Sequence, residues 1–214
     1  MKKAINLFGF LISLVSLFAC ANGIPENKIE VKRQTMSLNT DTITFGAGCF
    51  WCVEAIFQSL HGVLSVESGY SGGEVVNPTY KAVCAGSTGH AEVCQIVYDT
   101  TAISFEELLE VFWQTHDPTT LNRQGNDVGS QYRSAIFYHN DSQKEKAIFY
   151  KKKLQETVFD SPIVTEITPF TNFYKAENYH QDYFSLNGEQ PYCQMVIAPK
   201  VEKFKKAFGS KLKQ

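Results

Sequence analysis

Between Thr42 and Phe45 the chain is a short β-prone run that ends in Gly46-Ala47-Gly48, and from there Phe50, Val53, Phe57 and Leu60 recur at spacings of three and four. The first pattern predicts a strand and the second an amphipathic helix that starts near Cys49, with a glycine turn between them. Val63–Gly69 and Ala91–Asp99 read as two more strands, separated by a stretch that carries Gly, Pro and Asn. Ser104-Phe105-Glu106-Glu107 is a capping box, in which a hydroxyl and a carboxylate three positions apart each take up a backbone N–H of the other residue. It predicts a second helix, with Leu108, Val111, Phe112 and Thr115 on one side. Tyr132–Tyr138 makes a further strand. The order β-α-β-β-α-β predicts an α+β fold: a ferredoxin-like split β-α-β two-layer sandwich, with both helices on one face of an antiparallel sheet. Helical and loop extensions follow. They comprise a helix opened by Ser142-x-x-Glu145, a strand near Val164–Thr168, and helical stretches around Lys175–Leu186 and Val201–Phe208.

The first twenty residues belong to a different physical regime. Lys2 and Lys3 precede an apolar stretch from Ala4 to Ala19, which is the charged start and apolar middle of a secretory signal. At sixteen residues that stretch is short for a membrane span, which needs roughly 20. Leu17-Phe18-Ala19-Cys20 resembles a bacterial lipoprotein box with lipid attached to Cys20, and a cysteine directly after such a stretch favours that reading. Ala19-Cys20-Ala21 also fits a small-x-small cleavage site that would release a soluble protein. Either processing takes the mature protein out of the cytosol, to the periplasm or cell envelope. Residues 21–40 are polar and without apolar periodicity, so they read as a tether, and the folded domain is expected over 41–209.

The 214 residues are 43% hydrophobic and 13% aromatic, with a net charge of −2, which describes one packed domain. That balance excludes the basic surface a nucleic-acid binder needs. The Lys-rich end (Lys200, Lys203, Lys205, Lys206, Lys211 and Lys213) reads as the solvated face of a terminal helix.

Six cysteines in an exported chain first suggest disulfide staples, yet a domain of this size holds itself together without them. Cys49 and Cys52 call for a chemical reading because they fall at a helix start. Unpaired backbone N–H groups and the positive end of the helix dipole favour a thiolate there, which makes Cys49 a candidate nucleophile. A structural Cys49–Cys52 pair is the plain alternative. A zinc site with Cys84 and Cys94 is a weak one, because nine residues separate the second pair.

Several motifs point further. Gly48-Cys49-Phe50-Trp51, Asn77-Pro78-Thr79-Tyr80, Thr88-Gly89-His90-Ala91-Glu92-Val93, the run from Gln124 to Ser134, and Tyr179-His180-Gln181 stand in one order and spacing. Together they resemble the A-type peptide-methionine sulfoxide reductases, over about residues 42–197. The resemblance implies an enzyme that returns the S epimer of methionine sulfoxide, in proteins and free, to methionine. It makes Cys49 the nucleophile and Glu92 the acid on the sulfoxide oxygen. Tyr80 and Tyr132 would hydrogen-bond that oxygen, Asp127 would order the polar network, and Phe50 and Trp51 would hold the S-methyl group. These roles meet the needs of the chemistry. Attack on sulfur drives negative charge onto oxygen, which needs an acid and fixed donors, and a carboxyl stays protonated near neutral pH only when buried.

The reaction leaves a sulfenic acid on Cys49, which a second thiol can capture as a disulfide. Cys193, in Gln190-Pro191-Tyr192-Cys193, resembles the family's C-terminal resolving cysteine, which is expected on a mobile tail. Cys52 stands where glycine is commoner in the family and lies one helical turn from Cys49. His90 and His180 read as supports, and Cys84 and Cys94 as packing. No cofactor or metal is implied; the expected reductant is thioredoxin or another dithiol protein, and the chain is expected to act as a monomer. Without the motifs, Glu92, Tyr80 and Tyr132 would be ordinary strand and core residues. Cys-x-x-Cys after a strand is also the layout of thiol-disulfide oxidoreductases, but the Phe-Trp pair inside it speaks against that function. A lipid-anchored binding protein would leave Glu92 and the tyrosines without a use.

Overall fold

The computed structural model describes residues 39–213, so the signal-like segment, Cys20 and nearly all of the tether lie outside the described residues. The first six elements are β1 (Thr40–Ala47), α1 (Phe50–Gln58), β2 (Val63–Ser71), a short α2 (Tyr80–Cys84), β3 (Ala91–Asp99) and α3 (Phe105–Thr115). A small hairpin of β4 (Arg123–Gln124) and β5 (Asp127–Val128) leads through a 3-10 turn at Ser130–Tyr132 into β6 (Ser134–Tyr138). Then come α4 (Asp141–Thr157), β7 (Glu166–Pro169), β8 (Tyr174–Lys175), α5 (Tyr183–Leu186) and α6 (Ala198–Phe208).

The main sheet has the order β7-β6-β1-β3-β2-β8. In its centre β3 is inserted antiparallel between β1 and β2, with Phe45 opposite Cys94 and Tyr70 opposite Glu92. This is the split arrangement expected from the element order, because the strands joined through α1 leave room for β3 between them. The Phe45 ring lies 5.6 Å from that of Phe57 on α1 and stacks at 4.7 Å on that of Phe112 on α3, so both helices cover the same face. The opposite face is also covered. Ala91, Val93, Ala135 and Phe137 are buried there under Phe170 and Phe173. Two covered faces explain why β1 and β3 are buried on both sides over most of their length, polar residues such as Thr44 and Glu92 included. β7 adds to the edge in parallel with β6, and β8 adds antiparallel to β2.

Local signals and tertiary contacts compete at several places. The capping box at Ser104 forms as expected, with Ser104 Oγ accepting from the Glu107 N–H. α4 starts before Ser142, because Asn140 caps it by accepting from the Gln143 N–H at 2.9 Å. Tyr132 belongs to the 3-10 turn, and the strand begins only at Ser134. The helix expected over Lys175–Leu186 is broken. Its start pairs with the edge of β2, where the Ala176 N–H donates to Ser68 O and the Gln181 side chain bonds both Ser68 N and Ser68 O. A 3-10 turn at Asn178–His180 follows, closed by Gln181, and Asp182 at φ +53° then redirects the chain into α5. At the far end, a π-helical turn at Cys193–Ile197 runs directly into α6. Cys193, Ile197, Val201, Phe204 and Phe208 are buried along this segment. The chain end is stitched to the turn after α1: the His61 N–H donates to Lys211 O (2.8 Å), the Lys213 N–H donates to Ser59 O (2.9 Å), and Leu60 bridges Leu212.

Candidate active site

β1 delivers the chain into the site through Gly48, whose φ of +88° favours glycine. A Cβ there would lie 2.6 Å from Gln124 Cγ. Gln124 is held in place by both ends of its amide, which accepts from Asp117 N and donates to Asp117 O, each at 3.1 Å. The turn sets Cys49 at the N-cap of α1, where its carbonyl accepts from the N–H groups of Cys52 (3.1 Å) and Val53 (3.4 Å). Its thiol does no capping and is free for chemistry.

Glu92 comes from the middle of the sheet and is 1% exposed. Its Oε2 accepts from the Phe50 N–H at 3.1 Å, which ties the carboxyl to the first residue of α1, next to Cys49. Burial pushes Glu92 well above the usual carboxylate range, the neighbouring Cys49 adds to this, and the Phe50 N–H opposes it. A protonated carboxyl beside a thiol can donate a proton during the reaction.

Aromatic rings enclose the place. Phe50 faces Tyr80 in a stacked pair (6.3 Å, 15°), with Tyr70 at 6.0 Å and His180 at 5.1 Å. Trp51 stacks on Tyr183 at 3.7 Å and meets Tyr192 edge-on at 5.7 Å. The Trp51 indole N–H donates to His180 Nδ1 at 3.2 Å. Burial raises Tyr80 and Tyr132, and Glu92 raises them further wherever it is ionised, so both hydroxyls stay neutral donors. Asp127 accepts from the Tyr192 hydroxyl at 2.8 Å.

The two thiols at the helix start stand one helical turn apart and push each other's titration in opposite directions, Cys49 up and Cys52 down. Burial pushes the Cys49 thiol up, and Cys52 adds to that. The Tyr192 hydroxyl and the Trp51 N–H pull it back. The helix-start argument alone would have placed Cys49 low; burial at 5% exposure outweighs it. Cys52 is pulled down by the Cys49 thiol and by Lys200, whose Nζ lies 3.9 Å from Cys52 Sγ.

The structure therefore brings Cys49, Phe50, Trp51, Cys52, Tyr80, Glu92, Asp127 and Tyr132 to one place. Cys193 lies wholly buried in the π turn, not on a free tail, and its thiol is raised by burial and then by Cys49. His90 stands apart as a support: its Nδ1 accepts from the Gly73 N–H and its Nε2 donates to Val75 O. Cys94 donates to Phe50 O, Cys84 is exposed, and among the described residues no group of three His, Cys, Asp or Glu could hold a metal ion. Sequence reasoning missed roles for Tyr192, Glu177, Gln124, Tyr183 and Lys200. Glu177 accepts from the Tyr70 hydroxyl (2.8 Å) and from the Tyr80 N–H (3.0 Å), which fixes two walls of the aromatic cage. Tyr192 carried a local signal as the neighbour of Cys193, and Gln124 as the first residue of a motif; the others carried none.

Comparison with known proteins is in keeping with this geometry. The family model for peptide methionine sulfoxide reductase matches residues 41–212. The MsrA of Saccharolobus solfataricus is 52% identical over 173 residues, which cover 81% of this chain and 97% of that protein. MsrA 1 of Rhodopirellula baltica is 55% identical over 185 residues, 86% of this chain and 94% of that protein. Among solved structures, reduced Mxr1 of Saccharomyces cerevisiae superimposes with a TM-score of 0.66 at 36% identity, covering 72% of this chain and 89% of that one. Methionine sulfoxide reductase A of Corynebacterium diphtheriae gives 0.64 at 39%, covering 69% and 75%. With its fold, its paired thiols under a buried carboxyl and relatives at this level over most of its length, the chain belongs to the peptide methionine sulfoxide reductase family, in its MsrA branch.

Proposed function

We propose that methionine sulfoxide is reduced at Cys49, with Glu92 as the acid and Cys52 as the thiol that closes the first disulfide. The Cys49 sulfur attacks the sulfoxide sulfur while Glu92 protonates the oxygen, and Tyr80 and Tyr132 donate hydrogen bonds to it. The oxygen then passes from the substrate sulfur to the Cys49 sulfur as the bond between the two sulfurs breaks, so methionine leaves as the thioether and Cys49 is left as a sulfenic acid. Phe50 and Trp51 hold the S-methyl group on the side opposite the donors, and this fixed handedness admits the S epimer. The observation that carries the reading is the Phe50 N–H bond that holds Glu92, buried and pushed towards its protonated form, beside Cys49. Single-turnover assays on each epimer test it: Cys49→Ser should release no methionine and the wild type should consume only S. Turnover by the serine variant, or equal use of both epimers, removes it.

For recycling, the place of Cys52 one helical turn from Cys49, with its N–H on the Cys49 carbonyl, favours it over Cys193, to which the sequence resemblance had pointed. Cys193 sits in a packed helical turn and stands as the thiol to which the first disulfide passes. A dithiol protein of the thioredoxin type then takes up the disulfide. Disulfide mapping after one turnover should find Cys49 joined to Cys52; a Cys49–Cys193 bond instead would sink this order.

The reaction takes place outside the cytosol in this reading, supported by Lys2, Lys3 and the apolar run to Ala19, with lipid on Cys20. Mass spectrometry of the mature protein from a bacterial host distinguishes a lipidated Cys20 from a cleaved soluble product and from an unprocessed chain, which would refute export.

A further inference from the structure

The C-terminal helical segment brings to the site a charge that the steps above do not use. Its buried side, from Cys193 to Phe208, lies against the body of the domain, and half-buried Lys200 reaches from it to Cys52 Sγ. Among the described residues Lys200 makes no ion pair with a carboxylate, whereas Lys205 on the same helix pairs with Glu202. An ammonium partly withdrawn from water needs a compensating group. The sulfur of Cys52 is the group it meets.

We propose that Lys200 is the counter-ion of the Cys49–Cys52 thiol pair, a positioning residue that lets the two sulfurs hold one negative charge between them. The proposal deepens the recycling route above and rests on it. After methionine leaves, the Cys52 thiolate uses a lone pair to form the S–S bond to Cys49, and the Cys49 S–O bond breaks. Hydroxide departs and takes up a proton as water. The sulfenic sulfur is reduced and the thiolate oxidised, with no outside reagent.

Among the described residues, the other groups around the pair give it no positive charge. Glu92 and Cys94 face it from β3, Asp127 from β5, Tyr132 from the 3-10 turn, and Tyr192 and Cys193 from the helical segment. Tyr192 is neutral, with its hydroxyl donated to Asp127, and Asp127 opposes the anion. Lys200 is the cation that reaches it. For two unit charges about 4 Å apart in a half-solvated setting, its loss corresponds to a rise of about one to two pH units in the midpoint at which the pair first ionises.

The test compares wild type, Lys200→Met and Lys200→Arg as reduced enzymes. The pH midpoint is read from far-ultraviolet thiolate absorbance and from iodoacetamide alkylation mapped to Cys49 and Cys52. Lys200→Met should raise the midpoint by about one to two units and slow disulfide closure roughly tenfold at neutral pH, with recovery at higher pH. Lys200→Arg should keep the wild-type midpoint. A merely structural lysine would slow closure equally at every pH, and an unmoved midpoint in Lys200→Met overturns the counter-ion whichever disulfide forms. The recycling route fails separately, through a Cys49–Cys193 bond in the wild-type map.

Discussion

Replacing Glu92 with Gln should make the enzyme slower and, above mildly acidic pH, more stable. Gln keeps the shape and an acceptor for the Phe50 N–H at 3.1 Å but has no proton to give, so methionine release in a single turnover should fall about 10²–10⁴-fold. The stability effect follows from burial. The folded carboxyl titrates well above its ordinary 4.5, so the wild type keeps the full contribution of this group only below 4.5 and loses it as pH rises through the folded value. Each unit between the two values is worth about 1.4 kcal/mol, and Gln escapes that loss because it does not ionise. Urea unfolding of both proteins across the pH range should give matching stabilities in acid and a growing advantage for Gln towards alkaline pH. A variant slowed less than about tenfold would make Glu92 a spacer rather than an acid. A variant less stable than wild type at alkaline pH would refute the burial argument.

Gly48→Ala should cost about 2–3 kcal/mol through positive φ and the clash with Gln124, and should cut turnover by shifting Cys49; a Tm within one degree or so of wild type would contradict it. His116 is half-buried, donating from Nδ1 to Phe112 O at 2.6 Å and accepting at Nε2 from Ser134 Oγ at 2.7 Å, and desolvation lowers it from 6.5 to about 4. Its contribution is therefore present above 6.5 and lost as pH falls towards about 4, on the order of 3 kcal/mol, and His116→Gln should flatten that acid limb in denaturant titrations; an unchanged limb argues against it. Tyr183→Leu removes the 3.7 Å stack on Trp51 and should raise KM for a methionine sulfoxide peptide about two- to tenfold with little change in kcat, whereas a fall in kcat alone would place Tyr183 elsewhere in the reaction.

The strand, glycine turn and helix around Cys49, the capping box at Ser104 and the element order of the sheet were legible because each is set by neighbours in sequence. The segment after Thr168 was not. There, the backbone of Tyr174–Ala176 pairs with β2, and the Gln181 amide bonds to Ser68, and neither partner is nearby in the chain. The site divides in the same way. Cys49, Glu92, Tyr80 and Tyr132 stand inside motifs, whereas Glu177 and Lys200 act through single contacts made from distant elements. The charge balance of Cys49 was also illegible, since a helix start is visible in sequence but full burial of the thiol is not.

The backbone bonds that tie Lys211 and Lys213 to the turn after α1 have a mechanical meaning for turnover. They clamp the far end of the segment that carries Cys193 and Lys200, so that segment can move only as a lever pivoting at its distal end. The π turn at Cys193–Ile197 lies between Cys193 and the Lys200-bearing α6, so a shift of Cys193 towards Cys49 is taken up there while α6 stays in place. A chain cut after Phe208 would lose the pivot and leave α6 held by its buried face alone.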